Sequence, residues 1–249
     1  MTTITILGAG KVAKHLILNI LEHDNLQLQQ IYARNSNKIK EVVDEAKIVN
    51  DIKDLKPADI FIIAVSDNAI EEVTSSFPLE NQLLIHTSGT MPLSVIKNTD
   101  RKGVFYMLQS FSFDKSLDFS EIPFCLEASN PNDFKTLENL AVKFSEKVYK
   151  INSEQRKAIH LAAVFVNNFA NHMFVLGEEI CKENSVPFEI LKPLIFETTK
   201  KIEHLSPLEA QTGPAARRDL QTIEQHQELL KDANKKEIYN LITKSILKK

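Results

Sequence analysis

Two hydrophobic patterns divide this chain of 249 residues. Up to about residue 150, short apolar runs alternate with segments in which apolar residues recur every three or four positions. The run Asp59–Val65 is apolar almost throughout, which is typical of a central parallel strand covered on both faces. Beyond residue 152 only helical periods occur. The pattern predicts a doubly wound α/β domain over residues 1–151 and an all-α domain over residues 152–249.

The first domain is predicted to contain a sheet of about eight strands. Strands are expected at Thr3–Leu7, Leu26–Ala33, Lys47–Asn50, Asp59–Val65, Leu83–His86, Gly103–Leu108, Pro123–Ala128 and Lys147–Ile151. Helices are expected at Lys11–His23, Asn37–Ala46, Ala69–Ser76 and Asp133–Phe144.

A helix of about thirty residues, capped by Asn152 or Ser153, is predicted to open the second domain. Its middle is apolar on nearly every side, so we expect it to be buried on most sides. Shorter helices are expected at Phe188–His204, Arg218–Lys231 and Lys235–Leu247, with a further short one from Ser206 to about Gly213. Because these four offer too little cover, the pattern predicts a homodimer through the helical domain.

The turn after the first strand has the sequence Gly8-Ala9-Gly10-Lys11-Val12-Ala13. Gly8 suits a tight turn, Gly10 lets a pyrophosphate approach the backbone, and Ala13 lets helix and strand pack closely. The amino end of the helix, with Lys11 and Val12, offers unpaired N–H groups to phosphates. A strand before the turn and a helix after it support a dinucleotide site, giving a Rossmann-type sheet.

The end of the second predicted strand carries Arg34, Asn35 and Ser36. An NAD site usually has an acidic residue there for the ribose 2′-hydroxyl, but none occurs between Asn25 and Lys40. A guanidinium suits a 2′-phosphate, so the predicted cofactor is NADP. The alternative is that Arg34 is simply a solvated residue at a strand end.

Two further strand ends are predicted to reach the cofactor, because ligands bind at the carboxyl ends of parallel strands. Val65 ends the apolar run and Ser66 follows it, while Thr87 and Ser88 follow the next strand. Ser66 could equally cap the following helix. The turn that contains Thr87 and Ser88 is expected near the nicotinamide.

Polar side chains interrupt the apolar long helix. On an uninterrupted α-helix, Asn167 and Asn171 would each lie within about 20° of the direction of His160. They are the predicted catalytic residues, with His160 as acid or base and the two asparagines as orienting donors. The alternative is a structural network that fixes the helix to its neighbours or to a second subunit.

Arg217 and Arg218 follow a Gly-Pro helix stop and are predicted to fall in the first turn of the next helix. Cations there oppose the helix dipole, so an anionic neighbour is expected. Asp219 could supply it, and so could a substrate carboxylate or phosphate. These arginines are therefore candidate substrate-binding residues.

Charge and composition narrow the function further. A net charge of −3 gives no reason to expect a nucleic acid or a membrane surface as partner. Two isolated cysteines show no metal-ligand spacing, and no metal site is predicted. We expect neither a signal peptide nor an apolar run long enough to span a bilayer. The predicted location is therefore the cytoplasm.

Several of these motifs resemble those of known oxidoreductases. The glycine turn, Ala64-Val65-Ser66-Asp67 and His86-Thr87-Ser88-Gly89 resemble NADP oxidoreductases of the pyrroline-5-carboxylate reductase and 6-phosphogluconate dehydrogenase type. The segments His160–His172 and Gln211–Asp219, followed by His226, resemble a narrower group that joins a Rossmann domain to a helical domain of unassigned function. The resemblance covers the whole chain and implies NADP binding and a helical dimerisation domain, but no substrate.

The lysine-bearing, glycine-rich signature of β-hydroxyacid dehydrogenases is missing, as is the Gly-Gly loop of pyrroline-5-carboxylate reductases. We therefore expect an NADP-dependent oxidoreductase that moves a hydride between the nicotinamide and a small polar substrate, which could be anionic. The alternative is a homodimer that binds NADP as a sensor or scaffold without turnover.

Overall fold

The computed structural model describes residues 1–248, and one mostly parallel sheet of eight strands organises the first part of them. The strands are β1 (Thr2–Leu7), β2 (Leu26–Tyr32), β3 (Ile48–Val49), β4 (Ile60–Ile63), β5 (Leu84–His86), β6 (Lys102–Met107), β7 (Phe124–Ala128) and β8 (Val148–Lys150). Their order is β3-β2-β1-β4-β5-β6-β7-β8. Only the β6–β7 pair among them is antiparallel. The order reverses between β1 and β4, where a doubly wound sheet binds its ligand.

Four helices accompany the sheet: α1 (Lys11–Leu21), α2 (Asp67–Ser75), α3 (Pro131–Phe144) and α4 (Ser153–Ala163). Side-chain caps begin two of them, α3 and α4. The Asn130 side chain accepts the backbone N–H of Asp133, and Pro131 occupies the first turn of α3, where no N–H is needed. A capping box between Asn152 and Gln155 begins α4. These ends agree with the sequence prediction to within a few residues.

Strand β4 shows why the central strands are apolar throughout. All four of its side chains are fully buried. Ile60 and Ile62 pack into the core on one face of the sheet, while Phe61 and Ile63 pack into the core on the other. Because successive side chains of a strand point to opposite faces, a strand covered on both faces needs no polar position. The predicted doubly wound α/β sheet is confirmed.

The helix predicted at Asn37–Ala46 is wrong. This stretch forms turns, in which the Ser36 carbonyl accepts the N–H groups of Ile39 and Lys40, and ends in a 3-10 helix at Glu45–Lys47. Ile39 alone is fully buried there, so little apolar surface fixes a helix to the sheet. The Asp44 side chain caps the N–H of Ala46, which begins a new short element instead of extending an old one.

The chain divides into two compact units, the first ending at Val164 and the second beginning at Phe165. This division falls inside the long helix. The predicted boundary at residues 151 and 152 instead marks the point where strands give way to helices.

The second unit is helical: α5 (Ala170–Glu183), α6 (Lys192–Lys201), α7 (Leu220–Leu229) and α8 (Ala233–Leu247). A π-helical segment, Val164–Phe169, joins α4 to α5. The short helix predicted from Ser206 is wrong, because turns occupy that stretch. Pro207 and Pro214 donate no backbone N–H, and Gly213 has φ +103°, so the i→i−4 ladder cannot repeat between them.

The expectation that the long helix is buried is also wrong for the single chain. None of its most apolar 18-residue window is buried, although the helix Ser153–Glu183 is long and apolar enough to cross a membrane by length and composition alone. The expectation that no run reaches that length is therefore wrong as well. Asn167, Asn168, Asn171 and His172 on this helix would be costly in lipid. The helix therefore does not indicate a membrane protein.

Candidate cofactor and active site

The turn after β1 can accept a dinucleotide. Gly8 has φ +130°, and a Cβ there would lie 2.3 Å from the Ala64 carbonyl oxygen, so only glycine fits. Gly10 is the N-cap of α1 without a side-chain cap bond, and a Cβ there would meet no other described atom within 4 Å. Ala13 is fully buried where α1 meets the sheet. The N–H groups at the start of α1 are therefore available to a phosphate.

A cavity of about 470 Å³ adjoins this turn. Of the predicted cofactor residues it is lined by Gly8, Gly10, Arg34, Asn35 and Val65. The structure therefore brings together residues from the ends of β1, β2 and β4. These are the strands at which the sheet order reverses.

Arg34 is the charged group of this cavity that the sequence singled out. Its side chain is 74% exposed, and its Nη1 atom lies 4.0 Å from the Glu72 carboxylate. Lys38 lines the same cavity, and its ammonium lies 4.8 Å from the centre of the Phe113 ring. Two cations therefore accompany the glycine turn, which fits a ligand with one phosphate more than NAD carries.

Other predicted cofactor residues serve the turns themselves. Ser66 is the N-cap of α2 but makes no side-chain cap bond. The Ser88 hydroxyl accepts the N–H groups of Thr90 and Met91 at 3.1 and 3.0 Å. Thr87 lies beside it and donates its hydroxyl to the Ile63 carbonyl at 3.4 Å. Three predicted cofactor residues remain. Lys11, the first residue of α1, is exposed, and Val12 beside it is partly buried. Ser36, after β2, is buried.

His160 on α4 meets Tyr106 at the carboxyl end of β6. The Tyr106 hydroxyl lies 3.2 Å from His160 Nδ1, and the two rings meet edge to face. Gly89, in the turn after β5, completes the contact. A Cβ at Gly89 would lie 2.7 Å from His160 Nδ1 and 2.9 Å from the Tyr106 ring, which excludes any larger residue. An imidazole, a phenol and a close-packed turn thus converge where two strands end.

Burial controls the protonation of two groups at this end of the sheet. Burial raises the pKa of the Tyr106 phenol to about 12, with Cys125 acting in the same direction and the Arg156 charge opposing it. Tyr106 is therefore a neutral hydrogen-bonding group at physiological pH. Burial also lowers the pKa of His86 to about 4, so that side chain is neutral, and its Nδ1 accepts the N–H of Ser88.

Sequence reasoning missed both Tyr106 and Arg156. Tyr106 lies in an apolar strand pattern, and its partner is 54 residues away. Arg156 is fully buried one helical turn before His160 and pairs with Glu127. The position of Arg156 four residues before His160 was a usable signal, because residues so spaced share one face of a helix.

The predicted stripe on the long helix needs a correction. Asn167 lies in the π-helical segment and Asn171 in α5, and both side chains are exposed. The i→i+5 bonds of a π-helix place more residues in each turn than an α-helix does. The angular alignment with His160 that assumes an uninterrupted α-helix therefore does not hold. Both asparagines belong to the second unit, and their role stays a prediction.

Arg217 and Arg218 were predicted to fall in the first turn of a helix, and this prediction is wrong. Helix α7 begins at Leu220, and Asp219 is its N-cap, accepting the N–H of Thr222 at 3.1 Å. Arg218 has φ +58° and belongs to the preceding turn. Both arginine side chains are exposed, so the argument from the helix dipole is lost. Anion binding by these residues remains a prediction.

The second unit has a cavity of its own of about 390 Å³. Its lining is mainly apolar and includes Leu176, Ile180 and Ile242. His226, singled out in the sequence, also lines it and bonds the Tyr239 hydroxyl through Nδ1 at 3.0 Å. Thr212, Lys235 and Thr243 also line the cavity, so it has several polar positions.

Comparison with known proteins agrees with this architecture. Residues 122–246 match a family described as a domain of unknown function, DUF2520. Residues 3–89 match a family described as NADP oxidoreductase, coenzyme F420-dependent. None of the curated proteins matches the chain.

Solved structures extend the likeness to the full length. A Bacteroides fragilis protein, provisionally described as an NADP oxidoreductase, is 36% identical over 100% of this chain and 98% of its own, with a TM-score of 0.87. A Thermotoga maritima protein is 22% identical over 98% and 96%, with a TM-score of 0.77. A reductive aminase from Aspergillus terreus, in complex with NADPH and ethyl levulinate, is 14% identical over 99% and 92%, with a TM-score of 0.74. The last two show the fold alone.

Proposed function

Because this chain belongs to the family of NADP oxidoreductases that carry the DUF2520 domain, we propose that it transfers a hydride between NADP and a small polar substrate. The family confirms the predicted cofactor class. The observation that carries the proposal is the Tyr106–His160 pair against Gly89, at the carboxyl end of the sheet that also bears the glycine turn. An acid or base at that end is what hydride transfer to a polar double bond requires.

The cofactor-binding residues divide into two groups. Gly8, Gly10 and the start of α1 would hold the pyrophosphate, and Arg34 with Asn35 would hold the ribose 2′-phosphate. The cavity that these residues line supports this assignment. When bound, the reduced cofactor supplies two electrons and a hydrogen as hydride to the carbon of a C=O or C=N group.

His160 would supply the matching proton. Its Nδ1 faces Tyr106, which leaves Nε2 as the nitrogen that a substrate can meet. To act as the acid, His160 must be the imidazolium, in which Nδ1–H donates to the Tyr106 hydroxyl oxygen and Nε2–H remains for the substrate. Loss of the Nε2 proton then leaves a neutral imidazole that keeps its bond to Tyr106. That proton goes to the oxygen or nitrogen of the substrate as its carbon is reduced, and the same ring accepts the proton in the reverse reaction. Tyr106 then orients the imidazole and stays protonated itself.

The substrate contacts that we propose come from residues of the second unit. Asn167 and Asn171 would orient the substrate, and Arg217 and Arg218 would attract an anionic group on it. The substrate we propose is therefore small, polar and in some cases anionic.

A panel of carbonyl compounds and imines, together with coenzyme F420, tests the proposal through NADPH oxidation. His160→Ala should bind NADPH as tightly as wild type and lose at least about 10²-fold in turnover, the ordinary contribution of a general acid. His172→Ala, which removes an exposed histidine of the second unit, is the control. If the wild-type protein binds NADPH but none of the compounds leads to NADPH oxidation, the result would favour the sensor or scaffold instead.

We also propose that the chain forms a homodimer through its helical domain. The support is the long helix, whose apolar window is entirely unburied within one chain. A second copy is the partner with a matching apolar surface, and self-complementary interfaces of this kind are the commonest oligomeric arrangement. Light scattering at micromolar concentration should give twice the mass of 28.2 kDa. A monomer there would contradict the proposal.

A further inference from the structure

We infer that Arg156 is a positioning residue, which fixes His160 against Tyr106 by locking the start of α4 onto β7 and onto the turn after β5. This inference rests on the proposed function of His160. Arg156 itself touches neither Tyr106 nor His160 through a hydrogen bond in the described residues. Its effect must therefore travel through the backbone that it holds.

The guanidinium of Arg156 reaches two other parts of the first unit. Its Nη1 donates to Glu127 Oε2 at 2.6 Å, on β7, and its Nη2 donates to the Met91 carbonyl at 2.6 Å. Ser153, in the first turn of α4, strengthens the same junction. Its hydroxyl donates to Glu127 at 2.7 Å and accepts the N–H of Leu93 at 3.1 Å. Helix, strand and turn are thus joined at one buried point.

The turn held by Arg156 is the one that contacts His160. The Ser88 hydroxyl closes this turn by accepting the N–H of Met91, whose carbonyl faces Arg156. Gly89 in the middle of the turn lies against both the His160 and Tyr106 rings. A shift of the turn relative to α4 would therefore open or close the gap at His160.

Spacing along α4 makes the coupling direct. Arg156 and His160 are four residues apart, so they lie on one face, separated by a single helical turn. The helix begins only at Ser153, and terminal turns otherwise fray. In the first turn Ser153 shares this anchor, whereas the Asn152–Gln155 capping box bonds the helix end only to itself.

A purely structural ion pair is a poor explanation for this arrangement. Arg156 is fully buried, and its Nε has no hydrogen-bond partner among the described residues, so the chain keeps a cation there at a cost. Apolar residues of similar volume often stabilise a core as well or better. The same charge also opposes the burial that raises the pKa of Tyr106.

The test uses Arg156→Lys, which keeps the charge and loses the two-pronged contact, and the milder Ser153→Ala. Arg101→Lys is the matched control, because Arg101 also pairs with a buried carboxylate, Asp133, but at the amino end of β6. Ser145→Ala is the control for Ser153, since the Ser145 hydroxyl also donates one hydrogen bond and accepts one. All four variants should lower the melting temperature.

Two readouts separate positioning from stability. In protein labelled at histidine and tyrosine, the nuclear Overhauser effect between the Tyr106 and His160 rings should be lost in Arg156→Lys and weakened in Ser153→Ala. Both control variants should keep it. Turnover in Arg156→Lys should fall by up to about 10²-fold, the effect of misplacing a catalytic group by about 1 Å, with NADPH affinity unchanged.

An unchanged ring contact in both Arg156→Lys and Ser153→Ala would overturn the inference, whatever happens to turnover. Should Arg156→Lys fail to fold, the result for Ser153→Ala decides alone. A lost ring contact together with full turnover in His160→Ala would refute the proposed function of His160 and leave the positioning by Arg156 standing.

Discussion

The first unit of this chain buries most of its apolar side chains, whereas the second unit leaves most of its own exposed. The first surrounds its sheet with side chains of near-zero exposure on both faces. In the described part of the second unit, the buried apolar residues are Ala215 and Ile223. There Phe165 is 61% exposed, Val166 76% and Phe196 70%. The first unit closes its own apolar core, whereas the second leaves apolar surface that the proposed dimer would cover.

The contrast follows from how sheets and helices bury apolar surface. A sheet with helices on both faces closes its own core within one chain. A long helix that is apolar on every side can be covered only by several neighbours, and α6, α7 and α8 do not cover it. Stability of the second unit should therefore depend on protein concentration, as in obligate dimers.

The largest expected effect is from Phe165→Glu on the long helix. A buried phenylalanine contributes about 2–3 kcal/mol. Because a dimer carries the substitution in both subunits, the dissociation constant of the dimer should rise by roughly 10³- to 10⁴-fold. The cost of burying two carboxylates adds to this. Analytical ultracentrifugation should show monomers, and hydrogen exchange should lose protection after residue 164 and keep it before. Val142→Glu, at an exposed apolar residue of α3, is the control. Equal loss of protection in both units would break the comparison.

Local sequence was sufficient wherever neighbours along the chain determine the structure. The apolar run at Ile60–Ile63 predicts a central strand, and Gly8 predicts a turn, because both depend on residues a few positions apart. The stretch 37–46 was misjudged, although the contacts that decide its structure are local as well. Its helical period is real, but the Ser36 carbonyl and the Asp44 side chain offer the backbone other partners.

Contacts between distant residues could not be predicted in this way. Tyr106 and His160 are 54 residues apart, and Arg156 and Glu127 are 29 apart. Nothing in either local pattern pairs them, although His160 itself was found as a polar residue in an apolar helix. The exposure of the long helix was mispredicted because the other helices of the described chain do not cover its apolar window.

The second largest effect concerns the pH dependence of the first unit. Burial lowers the pKa of His86 to about 4 from its ordinary 6.5. Between these values the unfolded chain binds a proton that the folded chain does not, so stability is complete above pH 6.5 and falls towards pH 4. The loss should approach about 3 kcal/mol.

His86→Asn keeps an acceptor for the Ser88 N–H and cannot titrate, so it should remove most of this slope. Urea unfolding at pH 7 and at pH 4.5, followed by hydrogen exchange in peptides of the first unit, measures it. His204→Asn, at an exposed histidine of the second unit, is the control. An equal slope in wild type and His86→Asn would show that another group is responsible.

The third effect is on cofactor affinity, which we assign to the first unit alone. Arg34→Ala should weaken NADPH binding by about 10- to 150-fold, equivalent to about 1.5–3 kcal/mol for a charge-assisted contact, and should leave NADH binding nearly unchanged. Glu72→Gln is the control, because it removes the acidic neighbour of Arg34 and should not weaken NADPH. Equal affinity of the wild type for NADH and NADPH would contradict the assignment.

Saturating NADPH should also protect the first unit from hydrogen exchange without protecting the second.

The smallest expected effect is on the stability of the second unit, through the N-cap of α7. Asp219 caps α7 by accepting the N–H and the hydroxyl of Thr222. Asp219→Ala should cost about 1 kcal/mol, whereas Asp219→Asn keeps the cap and should cost less. If the second unit folds only as part of a dimer, this loss will shift a thermal transition whose midpoint rises with protein concentration. A shift that is independent of concentration would mean that the second unit is stable in the single chain, despite having so few buried apolar side chains.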